Sequence, residues 1–356
     1  MDDLLNLPCY DLLQTEKEQK ILSVLNDLTR WHYKRCRSYR SILDMYGGLQ
    51  EYKSLASIPY VAVSLFKHFD LLSISQPEIF KVLTSSGTTS QTPSKIYLDR
   101  STATQQSKVL VKILQHYIGK QRLPMMLIDH AEHFTDRSEF SARGAGIQGL
   151  SIFGRNHRYV LDKDMNLNTD ALIEFCDRYK NEQVLLFGFT FMVWDRLLTE
   201  LKKRDHRVSL PRGILIHSGG WKKMHDKAVD NTTFKETVRY RLGIERVYNF
   251  YGMVEQTGSV FMECKEGFLH APVYSDIIVR NTVDLRECEY GEEGIIQVLS
   301  MLPKSYPGHS LMTEDLGVII GADNCKCGRK GKYFLVNGRL PSAEARGCSD
   351  TFKGAI

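Results

Sequence analysis

Apolar residues in the first part of the chain recur every three or four positions. Ile21, Val24, Leu25, Leu28 and Trp31 fall on one helix face, which predicts a helical N-terminal segment over residues 1–60. From about residue 80 the pattern changes. Short apolar runs, PMMLID (124–129), QVLLFGF (183–189) and GILIHSGG (213–220), end in or near Gly or Asp and read as buried strands. Amphipathic stretches alternate with them. Ser101 is placed to cap a helix with Val109, Ile113, Leu114 and Tyr117 as its stripe and Gly119 as its stop. A second helix is predicted in NTDALIEFCDRYK, with Leu172, Ile173, Cys176 and Tyr179 on one face, and a third in TFKETVRYRLG, ending at Gly243. Such alternation predicts a layered α/β domain. After residue 255 strand-like runs dominate, GIIQVLSML, LGVII and KYFLV, separated by Gly, Pro and Asp turns. The predicted organisation is a helical segment (1–60), an α/β core (61–264) and a small β-rich subdomain (265–356).

Composition narrows the function. A chain of 356 residues, 42% hydrophobic and 25% charged, suits one large or two medium domains. A net charge of +5 over 47 basic and 42 acidic residues is too balanced for a dedicated nucleic-acid or membrane binder. The basic cluster KKRDHR (202–207) is broken by Asp205 and reads as a solvated helix end. The start, MDDLLNLPCYDLL, has acids where a secretory signal has bases, and Asn6 and Pro8 interrupt its apolar residues. No window reaches the roughly 18–20 apolar residues of a membrane span. These features lead us to expect a cytoplasmic protein, in which the eight cysteines serve as thiols, metal ligands or nucleophiles rather than as a disulfide framework.

Four motifs carry candidate chemistry. VLTSSGTTSQTPSKIYLD (82–99) sets Ser85, Ser86, Thr88 and Thr89 around Gly87. Hydroxyls and backbone N–H groups on such a turn converge on an anion, and the glycine permits close backbone approach. It is not a Walker loop, because GxxxxGK[ST] is absent. IHSGGWKK (216–223) runs a strand into a glycine pair, against which a flat base can lie. VYNFYGMVEQTGS (247–259) breaks at Gly252 and then presents Glu255, and SYPGHSLMTEDLGVI (305–319) presents Asp315.

In this order and at these separations, the motifs resemble those of the adenylate-forming enzymes, which make acyl-AMP from a carboxylic acid and ATP. With the ending GRLPSAEARGCSDTF, the chain is similar to the acyl-protein synthetase (LuxE-type) family, which supplies activated fatty acyl groups to an acyl reductase. The resemblance runs from about residue 60 to the C-terminus. It implies an adenylation domain with layered α/β sheets, in which Ser85, Ser86, Gly87, Thr88 and Thr89 hold the ATP phosphates. By the same resemblance Ser218, Gly219 and Gly220 flank the adenine, with Tyr251 and Gly252 on its other face. Glu255 holds Mg²⁺, Asp315 accepts from the ribose hydroxyls, and Arg339 meets the ribose or the α-phosphate. Two positions depart from the wider pattern: Ser90 stands where a second glycine is usual, and Val254 replaces a hydroxyl residue.

Most adenylate-forming ligases carry a mobile domain of about a hundred residues after the GR motif. Here 17 residues follow Arg339, so we expect that domain to be absent. Cys348 offers a substitute, since its thiolate can attack acyl-AMP to give an acyl-thioester on the protein itself. Arg346 favours that thiolate and Asp350 opposes it, leaving the net effect open. The resemblance favours a catalytic Cys348 over an inert tail thiol, and makes an acyl reductase (LuxC-like) the recipient of the acyl group.

Cys264 and His270, with Cys325 and Cys327 about 55 residues further on, supply three sulfurs and a nitrogen, a closed tetrahedral set for structural Zn²⁺. Their spacing is not that of a standard zinc finger, and four reduced groups packed in a β subdomain remain the alternative. Relatives of the phenylacetate-CoA ligase type have a comparable site here, which favours zinc. His130 and His133 lack an evident third ligand and suit the polar mouth of a pocket. His217 is expected near the nucleotide, His309 in either a core hydrogen bond or a site, and Cys176 in the core. The function read from the sequence is ATP-dependent activation of a fatty acid, with transfer to Cys348. A phenylacetate-type coenzyme A ligase and a non-catalytic nucleotide-binding scaffold are the alternatives.

Overall fold

Strand Ser310–Ala322 pairs antiparallel with Glu293–Ser300 on one edge and with Lys332–Arg339 on the other. Lys332–Arg339 reaches no further than Asp315, and beyond its end the short strand Val61–Ala62 pairs in parallel with Leu311 and Met312. Ser275–Arg280 extends the sheet past Glu293–Ser300, and on the other side Leu269–His270 links Lys332–Arg339 to Phe261–Glu263. Glycines sit where the long pairing is irregular. The register shifts at Leu316/Gly317 and at Ile319/Gly321. A Cβ on Gly317 would lie 2.5 Å from the Leu335 carbonyl oxygen, so no other residue fits without moving the strand.

The structure is a computed structural model that describes residues 6–85, 93–131, 142–221 and 228–340. These residues form two compact units. The first comprises residues 6–85, 93–117 and 251–340 and contains the antiparallel strands above, and the second comprises residues 118–131, 142–221 and 228–250.

Helix Gln14–Arg35 belongs to the first unit. Ile21, Leu25 and Leu28 of its predicted stripe are buried against Ile278, Leu299 and Met301, each such side chain contributing about 1.5–3 kcal/mol. Trp31, at the edge of the stripe, donates its indole N–H to the Lys304 carbonyl. The N-terminus of this helix is capped from far along the chain. Leu13 makes no side-chain cap, and the Gln14 N–H instead donates to the Asp323 carboxylate, 3.0 Å away. Below it lies a buried charge cluster: the Asp276 carboxylate is 3.6 Å from Lys17 Nζ and 4.0 Å from Lys332 Nζ, and accepts from Gln14 Nε2 at 2.6 Å. Burial alone would raise the Asp276 pKa, but the two ammonium groups and the Gln14 amide outweigh it and hold it below the usual carboxylate value.

The predicted helix of residues 101–119 spans Arg100–Ile118. Its expected cap is corrected: the helix starts two residues earlier than a Ser101 cap implies, and Asp99 Oδ1, rather than Ser101, accepts from the Thr102 N–H at 2.7 Å. Gly119, at φ +83°, ends it as expected.

The second unit is a parallel sheet. Its strands, in chain order Leu123–Leu127, Gly154–Tyr159, Val184–Phe189, Gly213–Ser218 and Arg246–Tyr251, the last as far as Phe250, lie side by side in the order second, first, third, fourth, fifth. Val184–Phe189 and Gly213–Ser218 are buried throughout, which is why they read as continuous apolar runs. Helix Thr169–Tyr179 is capped by the Asn168 side chain and buries Leu172, Cys176 and Tyr179 as the periodicity predicts. Helix Asn231–Leu242 is capped by Asp230 and closed by Gly243 in the left-handed conformation.

His309 proves to be a core residue. Its Nε2 lies 3.0 Å from Thr29 Oγ1 and 3.4 Å from the Tyr39 hydroxyl, and its ring stacks on His32 with centroids 5.0 Å apart. Burial pushes the His309 pKa down to about 3, so the fold holds the ring neutral while the unfolded chain protonates near its ordinary 6.5. Between those values the unfolded state binds more protons, so stability falls as the pH drops. We expect the urea midpoint to decline as the pH falls from about 6.5 to about 4.5, and to decline less steeply in His309→Gln. An equally steep decline in the variant would contradict the assignment.

Candidate functional site

In the first unit, the antiparallel register sets Asp315 directly opposite Arg339. Arg339 Nε lies 3.2 Å from Asp315 Oδ1, while Nη2 donates to Glu314 Oε2 at 2.6 Å. Asp315 Oδ2 accepts from the Tyr251 hydroxyl at 2.7 Å. Burial, together with the adjacent Asp315 charge, raises the Tyr251 pKa well above its ordinary value, so the phenol keeps its proton and donates. The Tyr251 ring is steadied by Phe261 and Phe334, with centroids at 6.0 and 6.3 Å. An ionised carboxylate has about four acceptor positions, so Asp315 retains capacity for ligand hydroxyls beside these two partners.

Tyr251 leads into Gly252 and the short turn Val254–Gln256, which carries Glu255. Glu255 is buried, and its main-chain carbonyl accepts from the Tyr306 hydroxyl at 2.8 Å. Gln256 fixes the turn by donating to the Val298 and Gly308 carbonyls. The carboxylate is thus set by the backbone of a pinned turn and supplies the hard oxygen donor that Mg²⁺ prefers. Ser85 stands at the base of its loop, where its Oγ accepts from the Ser94 N–H at 2.8 Å and its own N–H donates to the Ser94 carbonyl. Ser86, Gly87, Thr88 and Thr89 lie outside the described residues, as do Ser90, His133 and Cys348.

The second unit offers the carboxyl ends of its parallel strands. In open sheets of this order, ligands bind where neighbouring connections diverge. Here that point lies between Leu123–Leu127 and Val184–Phe189. Asp129, His130 and Thr190 follow those two strands. Asp129 is buried and accepts from the His130 N–H at 2.8 Å. Ser218 ends the next strand and donates to the Phe250 carbonyl at 3.1 Å. Gly219 then takes φ +85°, a conformation that only glycine adopts without strain, and Gly220 is exposed. His217 points into the unit, with Nδ1 2.9 Å from Thr190 Oγ1 and its ring 4.5 Å from that of Phe234; burial pushes its pKa down to about 3.

Cys264, His270, Cys325 and Cys327 converge in the first unit, with their ligand atoms all within 4.8 Å of one another. Two tight turns aim the thiols: the Gly267 N–H donates to the Cys264 carbonyl, and the Gly328 N–H to that of Cys325. Cys264 Sγ lies 3.9 Å from Cys325 Sγ, and Cys327 Sγ lies 3.3 Å from His270 Nε2. Tetrahedral Zn–S bonds of about 2.3 Å set sulfurs about 3.8 Å apart, so the geometry suits that ion. Burial holds His270 near pKa 3 and therefore neutral, as a ligand must be. Burial also raises Cys264, and Cys325 to about 12; for Cys327 burial is outweighed by hydrogen bonds from Arg329 and the neighbouring thiols, and its pKa falls.

Sequence reasoning missed Arg329, whose guanidinium lies 5.3 Å from the Tyr10 ring and 4.8 Å from that of Tyr117, beside Cys327. Nothing local signals a contact between residues so far apart in the chain. It also missed Glu314 as the second partner of Arg339, although the pair TED and GR would suggest it once the two strands are set antiparallel.

This architecture is similar to that of 2-hydroxyisobutyryl-CoA ligase. An open form of that enzyme with 2-HIB-AMP and CoA superposes with a TM-score of 0.71 at 17% identity, covering 94% of this chain and 77% of the other. Its postadenylation state with 2-HIB-AMP gives 0.70 at 17% identity, covering 93% and 69%. The chain therefore has the α/β fold of the adenylate-forming ligases. The family model for acyl-protein synthetase, LuxE, matches residues 1–356. The chain belongs to that family and is an ATP-dependent ligase. Two relatives are each called long-chain-fatty-acid–luciferin-component ligase. That of Vibrio harveyi is 20% identical over 363 positions, covering 98% of this chain and 92% of the relative, and that of Aliivibrio fischeri is 20% identical over 332, covering 90% and 84%. Among the described residues, no helix is long and apolar enough to cross a membrane.

Proposed function

We propose that this protein is an acyl-protein synthetase that activates a long-chain fatty acid with ATP and loads it onto its own Cys348. The Tyr251–Asp315–Arg339 constellation, in a chain matched along its whole length by the family, carries the reading. The substrate class follows from the names of the two relatives. In the first step a carboxylate oxygen attacks the α-phosphorus of ATP, the bond to the bridging oxygen breaks, and pyrophosphate leaves. In the second the Cys348 thiolate attacks the acyl carbonyl, the bond to the phosphate oxygen breaks, and AMP leaves.

Positioning and electrostatics supply most of the acceleration for such a reaction. Asp315 accepts from the ribose hydroxyls while Tyr251 and Arg339 fix its carboxylate. Arg339 places a permanent positive charge near the ribose or the α-phosphate. Ser85, Ser86, Gly87, Thr88 and Thr89 cradle the phosphates, and Ser218, Gly219, Gly220, Tyr251 and Gly252 flank the base. Glu255 holds Mg²⁺, which when bound neutralises charge on the phosphate oxygens. Cys264, His270, Cys325 and Cys327 hold a structural Zn²⁺ that ties the turn after Ala322 to the strands behind it. An acyl reductase then takes the chain from Cys348.

Intact-mass measurement after incubation with ATP and fatty acids of varied length should show one added acyl group, removed by hydroxylamine. Cys348→Ser should lose this adduct and keep carboxylate-dependent ATP–pyrophosphate exchange. An adduct that persists in the variant, or thioester formation with free coenzyme A as the main product, would contradict the proposal. Purified protein should contain about one zinc per chain, and Cys325→Ser should lose it. Zinc retained by that variant, or none in the parent protein, would refute the metal assignment.

A further inference from the structure

Helix Arg100–Ile118 carries no acidic residue, and its charged side chains are Arg100, Lys108 and Lys112. One face of it, with Phe80 and Lys81, forms an open groove of about 540 Å³ in the first unit. The groove follows two adjacent ridges of the helix, Ala103–Ser107–Val111–Gln115 and Thr104–Lys108–Lys112. At 1.5 Å per residue, positions 103 to 115 span about 18 Å, the length of three to four helical turns. Small side chains in the first ridge allow close approach of another backbone.

The apolar content continues past the groove. Phe80 is 51% exposed and Val82 44%, two residues apart where the chain enters strand Lys81–Thr84, and the Arg100 guanidinium lies 4.3 Å from the Phe80 ring centroid. Lys112 donates to the Leu7 carbonyl, whereas Lys81 and Lys108 have no carboxylate partner among the described residues. Apolar surface edged with uncompensated positive charge, and with no acid in its lining, calls for a partner of opposite charge.

We propose that this groove docks an acidic amphipathic helix of a partner protein. The partner's apolar stripe lies along Phe80, Ala103 and Val111, and its carboxylates meet Lys81, Lys108 and Lys112. The adenylation chemistry is not involved, so the surface can fail while the function above stands.

The test is fluorescence anisotropy of the full-length protein with a labelled 14-residue helical peptide. The peptide carries leucines at i, i+3, i+4 and i+7 and glutamates on the flanks. The expected result is saturable binding that weakens about tenfold or more between low and high salt, and in Lys81→Glu/Lys108→Glu. The same peptide with lysine for glutamate should not bind, and Ser107→Trp should weaken the acidic peptide by filling the groove. Absence of binding, equal binding of both peptides, or no effect of the charge reversal would overturn the proposal. It would also be overturned if removing residues 1–5, which contain Asp2, Asp3, Leu4 and Leu5, strongly tightened binding, because the groove would then serve the chain's own start.

Discussion

The pairing of Ser310–Ala322 with Lys332–Arg339 is the constraint on which the first unit depends. Side chains alternate across a strand, so a slip of one residue between these two strands would leave Asp315 and Arg339 on opposite faces of the sheet and separate them. The pairing is held at both ends by different chemistry. At the open end Tyr251 hydrogen-bonds to Asp315 and Arg339 to Glu314, and an Arg339–Asp315 ion pair joins the two contacts. At the closed end the connecting turn bears Cys325 and Cys327, gathered with Cys264 and His270. Between them the register shifts fall beside Gly317 and Gly321, where a side chain would strike the facing strand.

The closed end also anchors the beginning of the chain. Asp323, in the turn at φ +66°, accepts from the first N–H of helix Gln14–Arg35, and Gln14 returns the contact by accepting from the Lys332 N–H. Lys17, Asp276 and Lys332 lie buried beneath it. Breaking such a cluster by removing one partner costs about 3–5 kcal/mol, far more than an exposed ion pair contributes. The N-terminal helix is therefore fastened to the hairpin that carries the candidate site.

In the second unit the buried strands and the helices Thr169–Tyr179 and Asn231–Leu242 were legible because burial there is one-sided or complete, whereas strand Gly154–Tyr159, exposed over most of its length, was not. Val184–Phe189 and Gly213–Ser218 are buried from end to end and stand out as unbroken apolar runs, and the helices repeat at the expected spacing. The four metal-type residues were picked out by chemistry, three thiols and an imidazole near Gly-rich turns, but only the resemblance to relatives favoured a metal site over four packed reduced groups, and the fold brings the four together. Contacts that join distant segments were not: the Asp323 cap, the Arg329 stack on Tyr10 and Tyr117, and the core role of His309 each depend on tertiary packing. The cap at Asp99 was missed for a local reason, because a two-residue change in helix start moves the capping position from one polar residue to another.

The most direct test of this account is carboxylate-dependent ATP–pyrophosphate exchange in Gly317→Ala, with metal content measured on the same sample. A methyl at this position meets the Leu335 carbonyl oxygen at 2.5 Å and must displace the pairing next to Asp315. The account predicts a folded protein that keeps the zinc proposed for the far turn and loses most of its exchange activity. Full exchange activity in that variant would show that the register of the hairpin does not set the site.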